Sequence, residues 1–300
     1  MKVFVTGGTG FIGSWIVKDL LLHGHEVTLF ARDVNKVSGF TNHERVRFVA
    51  GGMKDTDAMA RGLEGQDACI HVALSWLGGT AVENLENDTA PSVRLFQIAA
   101  EAGVKKIIYT SSIASFGSAP HNDMGYVKPA TYYSSTKAAT EAYLMAIATQ
   151  YNIQANAVRP GYTFGNPCVE GAHLYPDLKI VNMVKNAKAN KPMSFIKNDG
   201  TQFIWAGDLT KVYMELLHSD VLNRGYYTAV STEDRTWAQI AQMAVDMYGS
   251  KSEITLVDKG YPERAPMPID VSQIRDTFGF SFKADDHMLD HLRYLGTIEL

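Results

Sequence analysis

The sequence predicts an α/β protein built on a doubly wound parallel sheet, on three observations. Short β-branched and aromatic runs alternate with helical stretches over roughly the first half of the chain. A glycine-rich turn joins the first strand to the first helix. One of the later runs, Asp67–Ala73 (DACIHVA), is apolar almost throughout, as a strand covered on both faces must be.

Lys2–Thr6 suits a buried strand, and Phe11–His23 resumes with helical apolar spacing at Phe11, Ile12, Trp15, Ile16, Leu20 and Leu21. Between them lies Gly7-Gly8-Thr9-Gly10, with Gly13 inside the helix. Glycines at these positions meet the needs of a dinucleotide site: a tight turn, close backbone approach to a pyrophosphate, and close helix–sheet packing. The helix N-terminus then offers free N–H groups to the phosphates, which marks Gly7, Gly10, Phe11, Ile12 and Gly13 as cofactor-binding candidates. A strand–helix turn that binds nothing is the plainer alternative, and the strand–helix context favours the site.

Glu26–Ala31 follows as the second strand, and its exit bears on the choice of cofactor. An acidic residue there would bond the ribose 2′-hydroxyl of NAD, whereas arginine accommodates the 2′-phosphate of NADP. The chain has Arg32, then Asp33, with Lys36 expected one helical turn on. The expectation is NADP (as NADPH), with NAD as the alternative.

Arg45–Ala50 reads as the third strand and Asp55–Leu63 as a short helix. Asp67–Ala73 is the fourth strand, Glu83–Gly103 a single long helix and Lys106–Thr110 the fifth strand. Tyr133–Gln150 and Ile153–Arg159 add another helix and strand. Regular alternation fades at Arg159-Pro160-Gly161. Beyond it, helices are expected at Leu178–Ala189, Asp208–His218, Thr236–Tyr248, Ser272–Phe278 and Ala284–Leu295. Strands are expected at Gln202–Trp205, Tyr226–Ala229 and Ile254–Val257, with loop across Gly260–Pro268. This gives a Rossmann-type dinucleotide-binding domain over residues 1–160. A smaller C-terminal substrate-binding lobe occupies mainly 161–300, with some segments returning to the first domain.

Composition narrows the class. The 300 residues are 46% hydrophobic and 20% charged, with a net charge of −4, which gives no support for nucleic acid or an acidic membrane as partner. The two cysteines, Cys69 and Cys168, form neither a disulfide framework nor a zinc pattern, and no metal is expected. No apolar run is long enough to span a bilayer, and the opening residues already read as a strand. The expected compartment is the cytoplasm.

Two features bracket the expected active site. Tyr109-Thr110-Ser111-Ser112 ends the fifth strand, at the sheet edge where ligands bind. Tyr133 and Lys137, four residues apart at the start of a helix, share a face. A lysine beside a phenol favours the phenolate and is expected to lower the tyrosine pKa. A serine hydroxyl can hold a carbonyl oxygen. Tyr175 and Lys179 have the same spacing, but follow no serine-bearing strand.

Together these residues resemble the extended short-chain dehydrogenase/reductases, the NAD-dependent epimerase/dehydratase group. The likeness rests on Thr6–Gly13, Ile70–Ala73, Asn87 opening the long helix, Tyr109–Ser112 with Phe116-Gly117, Tyr133 and Lys137, Arg159-Pro160-Gly161, and Trp205–Leu209. It implies that Ser112 orients the substrate oxygen, Tyr133 exchanges its proton, and Lys137 binds nicotinamide ribose while tuning the tyrosine. Ala73 and Pro160 join Tyr133 and Lys137 on the cofactor side. A homodimer through the helices near Asn87–Gly103 and Tyr133–Gln150 is also implied.

Departures from that group narrow the reaction. Ile113-Ala114 replace the acidic pair of the dehydratases, and Thr201 replaces an arginine that holds the substrate diphosphate in the epimerases, although Arg264 could serve. Trp76, Phe116, Tyr162 and Trp205 are candidate pocket walls for an apolar carbonyl or alcohol substrate. The expected activity is NADPH-dependent reduction of a small carbonyl compound. The alternatives are a sugar or sugar-nucleotide epimerase and, behind it, a non-catalytic NADPH-binding sensor.

Overall fold

The first strand, β1 (Lys2–Thr6), is buried from Val3 onward and is an interior strand of a seven-stranded sheet. The computed structural model describes residues 1–33, 36–75, 78–116, 129–172, 177–261 and 269–298. Helix α1 (Phe11–Leu22) returns the chain to β2 (Glu26–Ala31). There follow α2 (Ser38–Thr41), β3 (Val46–Ala50), α3 (Thr56–Leu63) and β4 (Ala68–His71). Short helix α4 (Ala81–Asn84) runs through a π-helical turn, Leu85–Thr89, into α5 (Ala90–Glu101). Then come β5 (Lys106–Thr110), a 3₁₀ turn at Ile113–Phe116, α6 (Tyr132–Tyr151) and β6 (Gln154–Pro160).

The remaining elements are β7 (Tyr162–Phe164), α7 (Leu178–Lys188), β8 (Met193–Ile196), β9 (Gly200–Trp205), α8 (Ala206–His218) and β10 (Arg224–Ala229). Last are β11 (Asp234–Thr236), α9 (Trp237–Met247), β12 (Ile254–Val257), α10 (Ser272–Phe278) and α11 (Asp285–Leu295).

The large sheet has the order β10-β6-β5-β4-β1-β2-β3. Its pairs from β3 to β6 are parallel, as in β1 with β2 (Val5 opposite Leu29) and β1 with β4 (Val5 opposite Ile70). The strand order reverses between β1 and β4, where a doubly wound sheet opens a crevice at its C-terminal edge. One core face packs Phe4, Phe30, Met59, Leu63, Phe96, Ile107 and Leu144. Cys69 belongs to that core, and burial pushes its thiol up to about 12.

The chain divides into two compact units. The first comprises Met1–Pro160, Pro167–His173 and Thr210–Thr228, and the second Gly161–Asn166, Leu174–Leu209 and Ala229–Leu300. The second unit holds a β11-β9-β7 sheet and a β12-β8 pair, around a core of Phe164, Ile180, Val184, Phe203, Ile240, Met288 and Leu292.

The long helix expected over Glu83–Gly103 is not one regular helix. Pro91, in the first turn of α5, has no N–H for an i−4 carbonyl, and its ring would crowd that carbonyl in a regular turn. The widened Leu85–Thr89 turn accommodates it. Three strands, β7, β8 and β11, each of three or four residues, fall where no strand was expected.

Candidate active site

The glycine turn is dictated by contacts at its own atoms. Gly7 has φ +71°, and a Cβ there would stand 2.5 Å from Ala73 N, so only glycine lets β1 exit against the end of β4. A Cβ on Gly13 would overlap the Gly7 carbonyl oxygen. Gly10 N donates to Gly7 O at 2.9 Å and closes the turn. Gly10 caps α1 without a side-chain hydrogen bond, and the first turn holds no acidic residue. The N–H groups of Phe11, Ile12 and Gly13 therefore have no side-chain acceptor, and an anion is favoured at this helix end. These residues fit a dinucleotide pyrophosphate.

Arg32 is exposed one residue past β2. Lys36 does not stand one helical turn beyond it: Arg32, Asp33, Lys36 and Val37 are non-helical, and α2 opens only at Ser38.

Ser112 and Tyr133 come together in the first unit. Strand β5 ends at Thr110, which leaves Ser111 and Ser112 at the sheet's C-terminal edge. Thr131 caps α6 through a reciprocal bond pattern with Ser134, fixing Tyr133 and Lys137 one turn apart on the helix that follows. The Ser112 hydroxyl is near enough to Tyr133 to favour its phenolate, and Ser112 Oγ accepts from Ala114 N at 3.1 Å. Lys137 is buried. Its Nζ donates to Thr110 O at 3.0 Å and lies 4.8 Å from the Tyr109 ring centre and 5.8 Å from that of Tyr133.

The electrostatics differ from the expectation at one point. Lys137 was expected to lower the Tyr133 pKa, but burial raises it, the Ser112 hydroxyl opposing and the Asp88 charge adding to the rise. Burial also pushes the Lys137 ammonium down to about 8, against the opposing pull of Asp88 and Glu141. Desolvation is the largest cause at both groups.

Asp88 is the residue that sequence reasoning missed. It sits on the π-helical turn with 1% exposure, and its Oδ1 accepts from Ser75 N at 2.7 Å. Asn87, which carried the family likeness, is engaged elsewhere: Lys54 Nζ donates to its Oδ1 at 2.5 Å, and its Nδ2 donates to Glu83 O. A buried acid next to an apolar helix gives no periodic signal; Pro91 was the available clue to the widened turn.

A buried histidine ties this turn to the glycine strand. His71 Nδ1 lies 2.6 Å from Thr6 Oγ1 and Nε2 lies 2.9 Å from Ser92 Oγ. Ser92 Oγ gives its single proton to Asp88 O at 2.7 Å, so it accepts from His71 Nε2–H. That fixes the neutral tautomer, with Nδ1 accepting from Thr6, whose oxygen accepts from Ala73 N. Burial, then Lys137, holds His71 down to about 3, and burial holds His291 in the second unit down to about 4.

Both histidines stay neutral in the fold while their unfolded counterparts protonate near 6.5. Their contribution to stability is complete above that pH and falls as pH drops toward the folded values. Each should remove about 1.4 kcal/mol per pH unit below about 6. Urea unfolding at pH 7 and pH 5 checks this, and equal stability at the two values would show that neither histidine is held neutral in the fold.

The other expected site residues divide between the units. In the first unit, Pro160 ends β6 and is buried. Phe116 stacks on Arg159, whose guanidinium carbon lies 4.3 Å from the centres of both Phe116 and Tyr226. The same guanidinium holds buried Glu141 through bonds of 2.8 and 2.5 Å. In the second unit, Tyr162 packs edge-on against Phe203 and Trp237, and Trp205 stacks on His287 at 3.7 Å. Both pack against that unit's apolar core. Trp76, Gly117, Tyr175 and Arg264 lie outside the described residues. Among the described residues no helix is long and apolar enough to cross a membrane.

Comparison with known proteins agrees with this architecture. The chain is 31% identical over 179 residues to UDP-glucose 4-epimerase of Mycolicibacterium smegmatis, covering 55% of this chain and 57% of that protein. It is 29% identical over 180 residues to 3 beta-hydroxysteroid dehydrogenase/Delta 5-->4-isomerase of Mycobacterium tuberculosis, covering 55% and 48%. The chain thus spans about half the length of these curated relatives. In fold it is similar to the UDP-glucose 4-epimerase of Thermus thermophilus, solved in complex with NAD. The TM-score is 0.75 at 20% identity, over 99% of this chain and 100% of that one. The sequence pattern of the NAD dependent epimerase/dehydratase family matches residues 3–226, and the chain belongs to that family.

Proposed function

We propose that this chain moves hydride between a nicotinamide dinucleotide and a secondary alcohol carbon, in the manner of an epimerase that returns the hydride to the same carbon. The observation that carries the reading is the cluster of Ser112, Tyr133 and Lys137 at the C-terminal edge of the sheet that begins with the glycine turn. The nicotinamide supplies the hydride acceptor and donor. Gly7, Gly10, Gly13 and the first N–H groups of α1 hold the pyrophosphate, with Ala73 alongside.

Ser112 and Tyr133 bind the substrate oxygen. Tyr133 rests as a phenol at neutral pH, the form that gives a proton to a ketone oxygen, and its conjugate base receives the alcohol proton on the reverse path. The names of the curated relatives support an epimerase better than net reduction of a small carbonyl compound. A homodimer through α5 and α6 belongs to the same reading, and Tyr143, 55% exposed on α6, supports it.

Arg32 favours a second reading, an NADPH-dependent reductase. If its guanidinium meets the 2′-phosphate, Arg32→Asp should weaken NADPH binding at least about tenfold more than NADH binding. Equal losses would remove Arg32 as the discriminator. The two readings separate when purified protein meets sugar nucleotides, hydroxysteroids, aldehydes and ketones with NADH or NADPH. Isomer formation without net change at the reduced-nicotinamide absorbance band supports the epimerase. Stoichiometric NADPH consumption supports the reductase.

A further inference from the structure

We propose that Ser115 is a positioning residue for the reaction, its hydroxyl tying the turn that carries Ser112 to the helix that carries Tyr133 and Lys137. The inference rests on the roles proposed for those three residues. Helix α6 grips the chain on both sides of Ser112. On one side Lys137 Nζ donates to Thr110 O at 3.0 Å. On the other Ser115 Oγ donates to Glu141 Oε1 at 3.2 Å. Lys137 and Glu141 are four residues apart on one face of α6, and Tyr133 lies one turn nearer its start. Ser112 falls between the two tethered residues, so both tethers set where its hydroxyl stands relative to Tyr133.

The second tether is held rigidly. Ser115 and Glu141 are both buried, and Arg159 at the end of β6 grips the carboxylate with two bonds, Nε to Oε1 at 2.8 Å and Nη2 to Oε2 at 2.5 Å. A bidentate pair of this kind fixes the plane of the carboxylate, and with it the direction in which Oε1 meets the Ser115 hydroxyl. The same guanidinium lies over Phe116, the last residue of the 3₁₀ turn. Within the turn Ser115 N donates to Ser112 O at 3.0 Å, and Ala114 N donates to Ser112 Oγ. A displacement of Ser115 is therefore passed to both oxygens of Ser112. Burial of a hydroxyl is costly unless it is bonded, and the acceptor here belongs to the helix that carries the catalytic pair.

The test uses the full chain and the substrate found in the assays above. Ser115→Ala removes one oxygen, and should lower kcat about tenfold while KM and dinucleotide affinity stay within about twofold. Ser115→Thr keeps the hydroxyl and should recover most of the rate. Thr149→Ala deletes an exposed hydroxyl from the same helix and should leave kcat unchanged. Glu141→Gln should lower kcat by itself, and adding Ser115→Ala to it should cost little more, because both cut one tether. Wild-type kcat in Ser115→Ala, equal losses in the Ala and Thr variants, or additive losses with Glu141→Gln would overturn the proposal. So would a loss shared by kcat, KM and dinucleotide affinity, the mark of a general structural role.

Should Glu141→Gln not fold around the unpaired arginine, amide exchange followed by NMR in Ser115→Ala decides the matter without turnover. The Ala114 N–H, bonded to Ser112 Oγ, should exchange about tenfold faster than in the wild type. The Ser111 N–H, held by Val158 O across the sheet, should not change. Unchanged exchange at Ala114 refutes the tether. Absence of turnover in the wild type, with faster exchange at Ala114 in the variant, would instead refute the oxidoreductase reading and leave the tether standing.

Discussion

Replacing Tyr133 by phenylalanine is expected to lower turnover by about 10³-fold while dinucleotide affinity changes little. The substitution removes one hydroxyl from α6 and leaves the ring over which Lys137 lies and the Lys137–Thr110 bond intact. Only the proton at the substrate oxygen is lost, together with the phenol's interaction with the Ser112 hydroxyl. Steady-state kinetics with a dinucleotide titration by fluorescence separates the two effects. Retained turnover would exclude Tyr133 from proton transfer, and a parallel loss of cofactor affinity would make its role one of binding.

The second large effect is expected at Gly13. Alanine there would drive its methyl group into the Gly7 carbonyl, a backbone atom that cannot rotate away. The turn must open, and overpacking of this kind costs about 1–3 kcal/mol. Because the displaced atoms also shape the pyrophosphate cradle, Gly13→Ala should abolish measurable dinucleotide binding as well as lower the melting temperature. Gly65→Ala is the matching control. That position, unlike Gly13, has positive φ, but no atom lies within 4 Å of its would-be Cβ, so it should lose some stability while keeping affinity. Unchanged binding in Gly13→Ala would mean that the dinucleotide is held elsewhere.

The glycine turn and the parallel sheet were legible because each carries a local signal: glycines at 7, 10 and 13, and strands of buried β-branched residues. The placement of Tyr133 and Lys137 one turn apart on a helix was legible because helical spacing is encoded within a few residues. The π-helical turn was not, since a count of 3.6 residues per turn through Glu83–Gly103 assumes the regularity that Pro91 prevents, and the family likeness put weight on Asn87 where the buried residue is Asp88. Strands β7 and β11 escaped because three residues are too few to alternate, and their pairing with β9 is decided by residues some 30 to 40 positions away. The direction of the Tyr133 shift escaped for a related reason. Spacing reports that a lysine is near, but burial is the largest cause of the shift and spacing does not report burial.

The large sheet also sets a problem of timing during synthesis. Strand β6 ends at Pro160, yet its neighbour on the outer side, β10, begins only at Arg224. At ordinary elongation rates the ribosome needs about 3–13 s to make the intervening stretch. Throughout that interval β6, fully buried in the finished protein, presents an open edge of unpaired backbone groups. Slow codons between Pro160 and Arg224 would prolong that exposure and lower soluble yield, whereas slow codons after Ala229 would come too late to matter for this edge.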